Sequence, residues 1–195
     1  MSGDECVLSL YENRFSTVFH LLLQEHVTSV LDFGCGDGKF LHYLAQESFF
    51  SRLGGVDISR PRLARTRRRI GDDSRIFLYL QSFLEKNPEF SFYTAIVVME
   101  VIEHLKKDDL HLLFHNLFGI APPLIIVTSP NREYNNHYPV LYNGLRHSSH
   151  KFEFTVDELR HFAEDMTPME SGYTFTIGFC DPEHASQFIL WKRVI

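Results

Sequence analysis

At 195 residues the chain is the size of one domain with a substantial core, and its 44% hydrophobic and 23% charged residues are the ordinary balance of a globular protein. A net charge of −6 excludes nucleic-acid binding through the overall field, so any such contact has to come from a local basic patch. The three cysteines, Cys6, Cys35 and Cys180, are too scattered for a zinc spacing or a disulfide framework, and no apolar run is long enough to span a bilayer.

The start Met1-Ser2-Gly3-Asp4-Glu5 is not a secretory leader, so the expectation is a soluble cytoplasmic protein with no membrane contact. We find no internal repeat or low-complexity linker, which leaves 1–195 as a single domain. Leu10, Phe15, Val18, Phe19 and Leu22 fall at mixed three- and four-residue steps, predicting an amphipathic helix over about 8–26. Val30, Leu31, Asp32 and Phe33 then form a strand that ends in the turn Gly34-Cys35-Gly36-Asp37-Gly38 before a helix over 40–46. Glycines suit a turn where the backbone must bend sharply and admit a ligand, although a plain strand-to-helix turn has the same composition.

The strand over 53–57 ends in Asp57, about 20 residues past the glycine turn, where nucleotide-binding α/β folds place a carboxylate for ribose hydroxyls. Asp57 equally suits a helix cap, since Ser59 and Pro61 signal a helix start. The helix over 61–70 is strongly basic; a solvated face is the default reading of such a run and an RNA contact the less common one. Residues 75–83 alternate into a third strand ending at Gln81 and Ser82. The continuous apolar run Ala95-Ile96-Val97-Val98-Met99 is a strand buried on both faces.

At its carboxyl edge come Glu100, Glu103 and His104, spaced so that one helical turn brings them over the same face. Such a cluster is a candidate divalent-metal site; the competing reading is a helix start with two acids favoured by the dipole. A helix over 106–119, a buried strand over 123–128 and a long histidine-rich loop over about 130–154 follow. Thr155-Val156-Asp157-Glu158 has the form of a capping box, and strands over 173–179 and 186–192 close the chain as an antiparallel pair. Alternating strands and helices, glycine turn first, give an α/β fold: a doubly wound, Rossmann-like sheet with an antiparallel C-terminal edge strand.

Val30-Leu31-Asp32-Phe33-Gly34-Cys35-Gly36 followed by Asp57 resembles the cofactor signature of class I S-adenosylmethionine-dependent methyltransferases. Met99-Glu100-x-x-Glu103-His104 is shared by several methyltransferase families, some acting on small catechol-like molecules. The segments Pro130-Asn131-Arg132-Glu133-Tyr134-Asn135 and His150-Lys151-Phe152-Glu153-Phe154-Thr155 resemble more narrowly the Hen family, the small-RNA 3'-terminal 2'-O-methyltransferases. The similarity runs from Leu10-Tyr11-x-x-Arg14-Phe15 to Ser186-Gln187. Ser149 stands where the family has Asp before the histidine, which implies a weaker partner for the metal ligands, and Phe154 replaces Trp. Plant members add double-stranded-RNA-binding domains that these residues do not contain, so the resemblance implies an animal-type catalytic domain acting on piRNA- or siRNA-like single strands.

The resemblance implies that Asp32, Gly34, Gly36, Asp57, Gln81, Ser82 and Met99 hold S-adenosylmethionine. It implies that Glu100, Glu103, His104 and His150 hold Mg2+, or Mn2+ or Co2+, against the 2'- and 3'-hydroxyls of the last ribose, with His104 and His150 thereby catalytic. His147 is the expected proton acceptor, and Arg132, Arg146 and Lys151 are candidates for the terminal phosphates. The expected partner is the 3' end of a small single-stranded RNA, carried by an Argonaute- or Piwi-family protein, with DNA excluded by the 2'-hydroxyl requirement. The rivals are a metal-dependent small-molecule O-methyltransferase and a non-enzymatic binding module on the same fold.

Overall fold

The computed structural model describes residues 3–194, with side chains described for residue 10 and from residue 12 onward. Cys6 and Tyr11 therefore lie outside the described side chains. Helix α1 (Gly3–Gln24) leads into β1 (Ser29–Phe33), α2 (Lys39–Ala45), β2 (Arg52–Asp57), α3 (Arg60–Ile70) and β3 (Ile76–Leu80). Then come β4 (Ala95–Met99), a 3-10 turn (Ile102–His104), α4 (Lys107–Ile120) and β5 (Leu124–Pro130). A second 3-10 turn (Arg132–His137), α5 (Val156–Met166), β6 (Tyr173–Phe179) and β7 (Ser186–Arg193) complete the order. Among the described residues no helix is long and apolar enough to cross a membrane, and Cys35 and Cys180 are both free and buried.

One seven-stranded sheet runs β3-β2-β1-β4-β5-β7-β6. Strands β1 to β5 pair in parallel, whereas β7 runs antiparallel to both β5 and β6. The reversed strand is therefore one position in from the edge, and β6 itself forms that edge. Both faces of the sheet are covered, which is why its central strands read as unbroken apolar runs. Val30 and Val97 pack toward α1, α2 and α3, while Leu31, Ile96 and Val98 pack toward α4 and α5 around Phe114 and Trp191. Both bonds of the α5 N-terminal capping box form as the sequence indicates: Thr155 Oγ1 accepts from Glu158 N at 3.2 Å and Glu158 Oε2 from Thr155 N at 2.8 Å.

Two boundaries differ from the sequence pattern for local reasons. The third strand stops at Leu80, because Ser82 Oγ accepts from Leu84 N at 3.2 Å and turns the chain. The fifth continues to Pro130, because β7 supplies antiparallel partners as far as Ser186.

The carboxyl ends of β1, β2, β4 and β5 meet at one edge, and the glycine turn is built there. Gly34 has φ +88°, and a Cβ on it would lie 2.5 Å from Val101 Cγ2. Any side chain at this position meets both a disfavoured backbone and the segment after β4. Gly34→Ala should therefore cost about 1–3 kcal/mol in denaturant unfolding, and a loss well under 1 kcal/mol would show that the turn relaxes freely.

Candidate functional site

A cavity of about 670 Å³ opens at this edge between the glycine turn and the loop over 130–154. Asp32, Gly34 and Gly36 form one wall, Met99, Glu100, Glu103 and His104 the floor, and His147, Ser149 and His150 the far side. Arg14 and Phe15 of α1 and Arg62 and Arg65 of α3 close the remaining rim.

Asp32 is buried at the end of β1, and burial, helped by the nearby charge of Asp57, pushes its carboxyl up to about 7. Asp57 braces the turn: its carboxylate accepts from Gly36 N at 3.0 Å and Ser59 N at 2.7 Å. Gln81 and Ser82 are engaged locally, Gln81 with Asn87 and Glu85, and Ser82 with Leu84. These three lie outside the cavity lining, whereas Asp32, Gly34, Gly36 and Met99 lie within it. The glycine turn, with positive φ at Gly34, Gly36 and Gly38, leaves the bare backbone cradle that an extended cofactor chain needs.

The acids after β4 separate. Glu100 adopts φ +53°, a left-handed conformation fixed by its N–H donating to Thr128 O at 3.2 Å. The kink sends its side chain to Arg14 Nη1 at 3.5 Å and to the Thr128 hydroxyl, which donates to Oε1 at 3.0 Å. Glu103 instead points inward from the 3-10 turn. Lys151 N donates to Glu103 O at 2.7 Å, which draws the distant loop over it. One ligand atom each from Glu103, His104 and His150 then lies within 4.8 Å of the others. Glu100 is not part of this trio.

Glu103 is only 1% exposed, and neither of its carboxylate oxygens has a hydrogen-bond partner among the described residues. Burial first, then the like charge of Glu100, pushes its carboxyl well above the ordinary range. A buried acid without donors beside two imidazoles is a set that could hold a divalent cation. Partial desolvation, then the neighbouring His150, pushes His104 below the ordinary histidine range.

Behind these residues sits Glu153, fully enclosed. Burial raises its carboxyl, but hydrogen bonds from His150, Asn135 and Arg146 outweigh that and hold it below the usual range. An ionised Glu153 is an acceptor only, so His150 Nδ1, 2.6 Å from Oε1, carries the hydrogen and Nε2 is left for a cation. Ser149 Oγ lies 3.0 Å from His104 Nδ1 and 2.6 Å from His147 Nδ1, so a hydroxyl occupies the supporting place of the absent Asp. His147 is exposed, its ring centroid 5.4 Å from that of His150.

Arg146 lines the cavity, and its guanidinium is engaged within the protein. Its guanidinium donates to Asn135 Oδ1 at 3.1 Å, Ala185 O at 2.8 Å and Asn131 O at 2.5 Å, which fixes the loop to the start of β7. Arg132 is paired with Glu158 at 2.8 Å, while the Lys151 side chain is exposed. Gln187 Nε2 donates to Pro130 O and Phe154 O, stapling the two ends of the loop. Glu153, Asn135 and Gln187 were not legible as site supports. The one local signal was the three-residue step from His150 to Glu153, typical of a carboxylate backing a ligand histidine.

Residues 9–166 match a family model described as a methyltransferase domain. A small RNA 2'-O-methyltransferase of Rattus norvegicus is 30% identical over 169 residues, covering 80% of this chain and 42% of that protein. The protein of the same name from Drosophila melanogaster is 24% identical over 188 residues, 86% of this chain and 48% of that one. The chain thus spans under half the length of these curated relatives. The solved methyltransferase domain of a bacterial Hen1 superposes with a TM-score of 0.82 at 32% identity, covering 94% of this chain and 99% of that one. The solved small RNA methyltransferase HEN1 gives 0.80 at 25% identity, covering 95% of this chain and 25% of that one.

Two outcomes follow from the electrostatics. Asp32 has a folded pKa above its unfolded value of 3.8, so its ionisation cost is absent below 3.8 and complete above 7. Asp32→Asn should raise the melting temperature of the ligand-free protein above pH 7 far more than at about pH 4; equal shifts at both would remove the ionisation cost. Arg146→Ala should cost about 3–5 kcal/mol, because it strips a buried cation from carbonyls and a carboxylate. Chemical denaturation checks this, and a loss below about 1 kcal/mol would place Arg146 at a solvated surface.

Proposed function

The chain belongs to the Hen family of small-RNA 2'-O-methyltransferases as a methyltransferase domain, and from that premise we propose that it methylates the 2'-hydroxyl at the 3' end of small single-stranded RNA. The observation that carries this reading is the trio of buried Glu103, half-buried His150 and exposed His104 sharing one cavity with the glycine turn and Asp32.

S-adenosylmethionine, when bound, supplies an electrophilic methyl group on a sulfonium. Asp32, Gly34, Gly36 and Met99, which line the cavity, are the residues we assign to hold it. Asp57 acts in our reading by bracing the turn through Gly36 and would accept from ribose hydroxyls only with the lone pairs its two backbone partners leave. A divalent cation, when bound, supplies positive charge that acidifies and orients a terminal diol. Glu103, His104 and His150 would hold it, and one carboxylate with two imidazoles suits Mn2+ or Co2+ better than Mg2+, which favours oxygen ligands.

The chain's own residues do the remaining work. Glu153 fixes the His150 ring, and Ser149 fixes those of His104 and His147. Transfer would join the 2'-oxygen to the methyl carbon with loss of its carbon–sulfur bond, which leaves the chain one hydroxyl proton to accept. The departing hydroxyl proton goes to His147, whose exposed ring shares the cavity. Tyr138, held under the Arg146 guanidinium at 5.0 Å from its ring centroid, offers a wall for the terminal base.

The test is methyl transfer from labelled S-adenosylmethionine to matched RNAs ending in ribose, in 2'-deoxyribose or in a 3'-phosphate. Transfer to the free diol with background levels for the other two is the expected outcome. Equal labelling of the 3'-phosphorylated RNA would contradict terminal-diol recognition, and labelling of catechol-like small molecules alone would return the small-molecule reading.

A further inference from the structure

Helix α3 carries six arginines and no acid in eleven residues, within a chain of net charge −6. Its inner face is fixed by buried Leu63 and Thr66, so all six, Arg60, Arg62, Arg65, Arg67, Arg68 and Arg69, are exposed. A helix whose only task is solubility gains from mixed signs. Here like charges sit at three- and four-residue spacings, and Arg60 and Arg62 occupy the first turn, where the helix dipole disfavours cations. The arrangement costs stability and so calls for a polyanionic counterpart.

The structure also fixes where that counterpart lies. Arg62 and Arg65 line the same cavity as Glu103, His104 and His150. Asp37 of the glycine turn orients two members of the row, its carboxylate accepting from Arg65 Nε at 3.0 Å and its carbonyl from Arg69 Nε at 2.9 Å. Among the described residues no carboxylate pairs with Arg60, Arg62, Arg67 or Arg68. The cationic surface is therefore continuous from the cavity mouth along a helix roughly 16 Å long.

We propose that the outer face of α3 is the track for the RNA backbone, binding phosphates upstream of the 3'-terminal nucleotide seated in the cavity. Guanidinium groups pair with phosphate in a planar fork and read no base, which leaves the enzyme tolerant of sequence. This inference rests on the RNA reading above and adds to it a location and a length dependence.

Fluorescence anisotropy tests it with mixed-sequence single-stranded RNA, one probe a dinucleotide and the other about a dozen nucleotides long, both ending in a free diol. The variant joins Arg60→Ala, Arg67→Ala and Arg68→Ala, all exposed positions outside the cavity, with melting curves as the control for folding. The wild type should bind the long probe more tightly than the dinucleotide. The variant should lose at least ~10-fold on the long probe, with a shallower salt dependence, and bind the dinucleotide as before. Equal wild-type affinity for both lengths, or full long-probe affinity in the variant, overturns the track and leaves the terminal-nucleotide reading standing. Failure of the wild type to bind either probe overturns both. Affinity for poly-glutamate matching that for RNA of equal charge would assign α3 to acidic protein segments instead and overturn the track.

Discussion

A carboxylate excluded from water with no donor on either oxygen costs several kcal/mol in an otherwise packed interior. Glu103 is in that position, 1% exposed and without a hydrogen-bond partner among the described residues, and the surrounding structure is arranged to keep it there. Ile102 beside it is fully buried in the sheet core, so the 3-10 turn cannot swing out. Lys151 closes over the Glu103 carbonyl, and His104 and His150 bring two nitrogens to the one open side. The proposed cation resolves this cost, since positive charge at that point turns a penalty into binding free energy.

The cost explains why so much of the loop over 130–154 is internally bonded. A ligand contributed from a distant segment is useful only if that segment has one conformation. Glu153 supplies that rigidity from inside the loop, taking hydrogen bonds from His150, Asn135 and Arg146. Arg146 in turn bonds the loop to the carbonyls of Asn131 and Ala185, and Gln187 holds its two ends together. The reversed strand β7 thus does more than complete the sheet. By carrying Ser186 and Gln187 up to Pro130, it places an anchor at the carboxyl edge where the parallel strands end.

Much of this was readable in the chain because the central strands are buried on both faces and show as apolar runs such as Ala95 to Met99. The antiparallel closing pair was equally readable, but the position of β7 between β5 and β6 depends on packing that no local pattern records. His150 was identifiable only through the family resemblance, since nothing in its spacing ties it to Glu103. Glu100 looked equivalent to Glu103, and the difference lies in one left-handed residue whose N–H meets Thr128. Arg146 illustrates the same limit: a loop arginine looks like a solvated charge or a phosphate ligand until the carbonyls it binds, up to 39 residues away, are known.

The central claim is that Glu103, His104 and His150 together hold one divalent cation. Titration of the folded chain with Mn2+, followed by electron paramagnetic resonance of the free ion, measures this without reference to catalysis. The account predicts one bound Mn2+ per wild-type chain, and its loss in Glu103→Gln with an unchanged circular dichroism spectrum. Mn2+ binding of equal affinity and stoichiometry in Glu103→Gln would contradict it.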